Sequence, residues 1–267
     1  MVGLLALEDS DLAFLIRTLM PECKDFQRMM KTLREDEEIL EAMLLDDKLL
    51  GFLRDNPDFI IQVSPRLFFT VLINRVRHDL MHRSYTVERD ERHPVVVFDS
   101  DEVAGFLDQS DMRSYLADML TSFIRINTLI IPVRVGKGIW RKLRISDFDV
   151  DSLINYSQSL EESRRFFAYK RIADVCLFMA GVFSDYLRGS LDGALRRRLP
   201  ASGRGREGYE REGRHFYRAA AGQKTARLQD MDRVLSDLSE DFGLAVKSLA
   251  FLADNYLGLT GEQMFLQ

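Results

Sequence analysis

From Leu228 to Tyr256 the apolar residues Leu228, Met231, Leu235, Leu238, Phe242, Ala245, Leu249, Leu252 and Tyr256 follow one another at alternating steps of three and four. A mean step of 3.5 residues places all nine on one seam of a helix, and such a seam must bury against neighbouring helices. Gly243 lowers helix propensity there, but a single glycine does not end a helix with this much apolar pattern. The expectation is a long last helix in a mainly helical chain, with a seam that could pack internally, on a partner or on a second copy.

The same spacing recurs upstream. In SPRLFFTVLINRVRHDLMHR (64–83), Ser64 suits the cap and Pro65 the first helical position, and Phe69, Leu72, Ile73, Val76 and Leu80 form one apolar stripe. In SDMRSYLADMLTSFIRI (110–126), Met112, Tyr115, Leu116, Met119, Leu120 and Phe123 share a face. Residues 9–54 read as two or three short helices separated near Pro21 and Asp46, and 151–187 as a helical block breaking at Gly181. Strand signals are confined to PVVVF (94–98) and to LIIPVRV-GKG-IWRKLRI, a β-hairpin over 129–145 turning at Gly136 and Gly138. RRRLPASGRGREG (196–208) reads as an exposed Arg/Gly-rich loop. The fold class that follows is mainly α: a single-domain, bundle-like helical array over 1–267 with a small β-hairpin appendage.

With 46% hydrophobic residues and 18 Phe, 267 residues can fill a sizeable core. Cys23 and Cys176 are too few for a disulfide framework and favour a reducing compartment. The first residues lack the basic start and cleavage site of a signal peptide. The most apolar run, IADVCLFMAGVF (172–183), contains Asp174 and is shorter than the roughly 20 residues that span a bilayer. A cytoplasmic protein with no membrane partner is expected.

Chemistry-bearing patterns are few. HDLMH (78–82) spaces His78 and His82 as zinc ligands on a helix, with Asp79 where a metalloprotease carries Glu. His78 lies about 200° around the helix from Val76, so both histidines point away from the apolar stripe, beside Asn74 and Arg75. Arg77 and Arg83 flank the pair and oppose a divalent cation, and neither His93 nor His215 offers an evident third ligand. DFDVD (147–151) begins like a calcium loop but has Ser152 for the required Gly and Gln158 for the bidentate Glu, so its acids read as a helix start. GRGREG (203–208) matches G-x-G-x-x-G without the preceding strand a dinucleotide site needs. Asp174, inside an apolar run, has Lys170 and Arg171 one turn back as ion-pair partners, and Cys176 sits where thiols are inert. REDEEILE (34–41) reads as a helix start with a solvated face. No coherent catalytic set and no cofactor site emerges.

Charge, by contrast, is segregated. Arg125 to Ile145 carries +6 with no acid, and Arg196 to Arg218 carries +5; against −5 for the whole chain, these leave −16 for the rest. Arg134, Lys137, Arg141, Lys142 and Arg144 on the hairpin, with Trp140, and Arg196, Arg197, Arg198, Arg204 and Arg206 in the loop are candidate polyanion-binding residues. Tyr209, Gly213, Phe216, Tyr217 and Ala220 fall on one helical face and read as core.

The segments SPRLFFTVLINRVRHDL (64–80), ADVCLFMAGVFSDYL (173–187), YEREGRHFYRAAA (209–221) and LAFLADNYL (249–257) together resemble an uncharacterised family of mainly helical bacterial proteins. There a Leu-Phe-x-x-Gly-x-Phe run precedes a Tyr/Gly/Tyr-bearing helix and a long last helix. The resemblance implies bacterial origin and one continuous domain; it transfers no catalytic residue and does not include the Arg-rich loop. The functional expectation is a non-enzymatic cytoplasmic module for protein interaction or regulation, with a protein partner or self-association. The alternatives are binding of nucleic acid or another polyanion through the basic patches, and a metal-dependent hydrolase built on HDLMH.

Overall fold

A computed structural model describes residues 7–55, 63–89, 94–124, 128–136, 139–146, 148–183 and 204–257; for 54–55, 87–89, 94–95, 128–136 and 139–145 it describes the backbone alone. The protein is mainly helical, with two short antiparallel ribbons among the described residues. Packing divides it into two compact units, Met1–Ser122 and Phe123–Gln267, where the composition marks no boundary.

In the first unit α1 (Asp9–Leu19), α2 (Phe26–Glu35), α3 (Glu37–Leu44) and α4 (Asp47–Asp55) precede the long α5 (Pro65–Met81). These are four short helices rather than two or three, because aspartates make cheap starts. Asp25 accepts from the Arg28 amide, and Asp36, which ends α2, accepts from the amides of Glu38 and Ile39 to begin α3. Ser64 caps α5 through the Leu67 amide at 3.0 Å, and Pro65 occupies the first turn as expected. The Ser64 hydroxyl also donates to Oδ2 of buried Asp11 at 2.8 Å, tying α1 to the start of α5.

The single apolar stripe expected for α5 is too narrow a reading. Leu67 to Asn74 are buried without interruption. Two polar residues tolerate this by bonding their own helix: Thr70 Oγ1 donates to the Arg66 carbonyl and Asn74 Nδ2 to that of Thr70, each at 2.8 Å. Asn74 is therefore core, and the polar face begins only at Arg75. After α5, β1 (Thr86–Arg89) pairs antiparallel with β2 (Pro94–Val97), and α6 (Ser100–Phe106) and α7 (Ser110–Ser122) close the unit against α5. On and just beyond α7, Met112, Tyr115, Leu116, Met119, Leu120 and Phe123 are all buried, as their spacing predicts.

In the second unit β3 (Thr128–Gly136) and β4 (Ile139–Ser146) form the expected hairpin, with a register irregularity between Arg134 and Gly136; residues 137–138 of its turn lie outside the described residues. α8 (Val150–Ser159) starts on Asp149, which accepts from the Ser152 amide at 3.1 Å, so these acids do serve a helix start. The block expected to run from 151 to 187 is interrupted by a 3₁₀ turn at Glu162–Arg164 before α9 (Arg165–Gly181). α9 is buried from Ile172 to Gly181 and packs against α8, α10 (Arg206–Ala221) and α13 (Phe242–Leu252). Two glycines permit this. A Cβ on Gly213 would lie 2.3 Å from the Phe242 ring and 3.2 Å from Cys176 Cβ, and one on Gly181 2.7 Å from Leu249 Cβ. Phe123, Phe148, Phe178 and Phe183 form an aromatic cluster beside them, with Phe123 and Phe178 stacked at 4.2 Å.

The long last helix is in fact three. α11 (Lys224–Leu228) ends where Asp230 adopts φ 54°, and the Met231 amide returns to the Ala226 carbonyl at 2.9 Å, a left-handed helix stop. α12 (Asp232–Glu240) ends at Asp241, and α13 runs on into a π turn at Ala253–Leu257. Leu235, Leu238, Phe242, Ala245, Leu249 and Leu252 are buried inside this unit, whereas Leu228, at 74% exposure, leaves the seam. Gly243 stays helical; the breaks fall at aspartates.

Candidate functional site

α9 carries the carboxylate singled out in the apolar run. Asp174 is 2% exposed; Oδ2 accepts from Lys170 Nζ at 2.8 Å and Oδ1 from the Tyr217 hydroxyl at 2.9 Å. Lys170 supplies the intrahelical pair expected, and Tyr217 adds a bond across to α10 that sequence spacing could not show. Arg171, the other expected partner, places its guanidinium 4.0 Å from the centre of the Phe123 ring. Burial pushes the Cys176 thiol above its ordinary value, which keeps it protonated and a poor nucleophile.

A second buried charge lies in the first unit, where sequence gave no signal beyond helical position. Arg113, 3% exposed, donates to the Leu107 and Asp108 carbonyls at 2.7 and 2.9 Å and to Glu41 at 3.2 Å. Arg77 bridges Glu41 and Asp108. Desolvation lowers the Arg113 pKa and Glu41 offsets it, so the network reads as a structural tie between α3, α5 and α7.

His78, on the polar face of α5, and His82, the residue that follows its end, have ring centres 4.5 Å apart. His82 is exposed and His78 half-buried. Among the described residues no group of three or more His, Cys, Asp or Glu is gathered as a metal centre. His215 is exposed on α10, and His93 lies outside the described residues.

The basic candidates separate. In β3–β4 the register pairs Arg134 with Trp140, Pro132 with Lys142 and Ile130 with Arg144, which puts those six positions on one face of the ribbon. Positions 129, 131, 133, 141, 143 and 145 share the other, so Arg141 is parted from Arg134, Lys142 and Arg144. Lys137, Arg196, Arg197 and Arg198 lie outside the described residues. Arg204 is bound to Asp151 at 2.6 Å, and Arg206 is half-buried in the first turn of α10, which begins inside the stretch expected to be loop. Arg214 is engaged too, with Glu210 and the Ser239 and Glu240 carbonyls. Tyr209, Gly213, Phe216, Tyr217 and Ala220 are buried, as expected.

Sequence reasoning missed an apolar patch. Met81 at the end of α5, Tyr85, Val96 and Phe98 are 54, 45, 51 and 81% exposed, with the Tyr85 and Phe98 rings 6.4 Å apart edge to face. Tyr85 and Phe98 thus form one exposed aromatic pair, and large apolar groups left in water together mark an interaction site. Among the described residues the β1–β2 ribbon has two strands, so each keeps an unpaired edge. A cleft beside α1, lined by Ser10, Ala13, Phe14, Arg17, Thr18 and Phe52, holds a cation and hydroxyls but no acid, histidine or thiol in that lining.

No helix among the described residues is long and apolar enough to cross a membrane. No protein-family model matches the chain, and no curated protein or solved structure matches it.

Proposed function

We propose that this is a non-enzymatic, cytoplasmic helical module that docks another protein through Met81, Tyr85, Val96 and Phe98. The observation that carries this reading is the exposure of four large apolar side chains at the junction of α5 and the β1–β2 ribbon. Leaving such groups in water costs roughly 25 cal/mol per Å², which a partner's surface would recover on binding. Against the seam of the last helices as docking face, Leu235, Leu238, Phe242, Ala245, Leu249 and Leu252 are buried within the second unit. Two free cysteines support a reducing compartment, and the resemblance supports bacterial origin. The test is capture of proteins from source-cell extract by the intact chain and by Phe98→Asp. A stoichiometric partner lost on substitution supports the reading; identical capture by both counts against it.

A second reading, binding of a polyanion, draws on the β3–β4 register. Arg134, Lys142 and Arg144 share one ribbon face with Trp140, an arrangement in which cations can follow phosphates while an aromatic ring stacks on a base. Its test is fluorescence anisotropy of labelled single- and double-stranded oligonucleotides across salt concentrations. Affinity falling linearly in log salt supports it; no binding at low salt counts against it.

A further inference from the structure

Two side chains at the C-terminal end of α5 are arranged in a way that neither docking nor polyanion binding uses. His78 and His82 stand one turn apart with ring centres 4.5 Å apart and planes inclined at 33°. A metal bound through imidazole nitrogen at about 2.1 Å lies about 3.2 Å from each ring centre, so this separation corresponds to an angle of about 90° at the cation. Two cis positions of an octahedral or square-planar ion are spaced that way.

One of the two rings is held by an outer-shell contact. His82 Nδ1 lies 2.7 Å from the His78 carbonyl, an acceptor only, so Nδ1 is the donor and Nε2 is the nitrogen left for a ligand. Ligating histidines are oriented in this manner by carbonyls and carboxylates on the second ring nitrogen. His78 Nδ1 is shielded from solvent and accepts or donates no hydrogen bond, the Asp79 carboxylate standing 3.5 Å away and turned to Arg75.

The arginines nearby, which oppose a cation when read from the sequence, are engaged. Arg75 pairs with Asp47 at 2.9 Å and with Asp79 at 3.0 Å, and Arg77 with Glu41 and Asp108. Arg83 follows His82 but is exposed, where water and salt screen its charge. We infer that His78 and His82 form a two-imidazole site for a borderline divalent cation of the Ni²⁺, Cu²⁺ or Zn²⁺ class, the remaining positions going to water. With no third protein ligand among the described residues, it is a binding site and not a hydrolytic centre.

The experiment is calorimetric titration of the intact chain with NiCl₂ and ZnCl₂, repeated with His78→Ala, His82→Ala and, as control, His215→Ala. Thermal melting without metal checks that each variant is folded. Expected are one ion per chain, loss of binding in both α5 histidine variants and no change in His215→Ala. Ni²⁺ should bind more tightly than Mn²⁺, and Ca²⁺ and Mg²⁺ not at all. Absence of Ni²⁺ and Zn²⁺ binding to the intact chain, or binding that survives either alanine substitution on α5, overturns the inference.

Discussion

The Tyr217 hydroxyl on α10 donates to Asp174 Oδ1 on α9 at 2.9 Å, and both residues are at or below 2% exposure. A carboxylate buried in an apolar run costs free energy unless its oxygens are satisfied, and this bond joins the two most extensively packed helices of the second unit. Tyr217→Phe keeps the packing and removes the donor. It should lower stability by about 1–3 kcal/mol in urea unfolding, with Asp174→Ala costing at least as much because Lys170 loses its partner.

The approach of α13 to α10 rests on the missing side chain at 213. Gly213→Ala would drive a Cβ into the Phe242 ring and is expected to cost about 1–3 kcal/mol, partly restored by Phe242→Leu. Gly243→Ala is the contrast. Its Cβ would meet nothing nearer than 3.7 Å, so the gain in helix propensity should stabilise by up to about 1 kcal/mol. Equal effects at the two positions would contradict this packing.

Asp230 takes the left-handed conformation that glycine adopts without penalty. Asp230→Gly should therefore raise the melting temperature, by the equivalent of about 0.5–1 kcal/mol, and Asp230→Val should lower it.

Cys176 is buried with its thiol pushed up, and Cys23 is half-exposed. Iodoacetamide on the native chain should modify Cys23 and spare Cys176, read by peptide mass spectrometry. The folded state holds the Cys176 proton over a range in which the unfolded chain releases it, above about pH 8.5. That contribution to stability is fully present below this pH and declines as pH rises beyond it, so Cys176→Ala should flatten the alkaline slope of the unfolding curve.

Where a helix is amphipathic, its buried face was legible in the residues. The inward positions of α10 coincide with those the spacing picks out, because one periodicity decides both helix and face, and those of α7 include all that the spacing picks out together with Arg113, Ser114 and Ala117. Caps at Ser64 and Asp149 were legible for the same local reason. The breaks at Asp230 and Asp241 were not: the chain resumes with apolar positions still in step, so the pattern runs through them. α5 misled in the other direction, since Thr70 and Asn74 look polar but are buried, each donating to a carbonyl of its own helix. Phe98 and Tyr85 carry no mark distinguishing an exposed aromatic from a core one; only burial tells them apart. The His78–His82 spacing was visible, but the engagement of Arg75 and Arg77 by distant acids needed the fold.

The docking reading is tested most directly at Phe98. The intact chain and Phe98→Asp would be used side by side to capture partners from source-cell extract, with thermal melting to show that both are folded and sedimentation velocity to detect a second copy. The expected result is one protein, foreign or another copy of this chain, held stoichiometrically by the intact chain and lost from Phe98→Asp at unchanged stability. Retention of the same set of proteins by both, at equal sedimentation coefficients, would contradict a role for the patch.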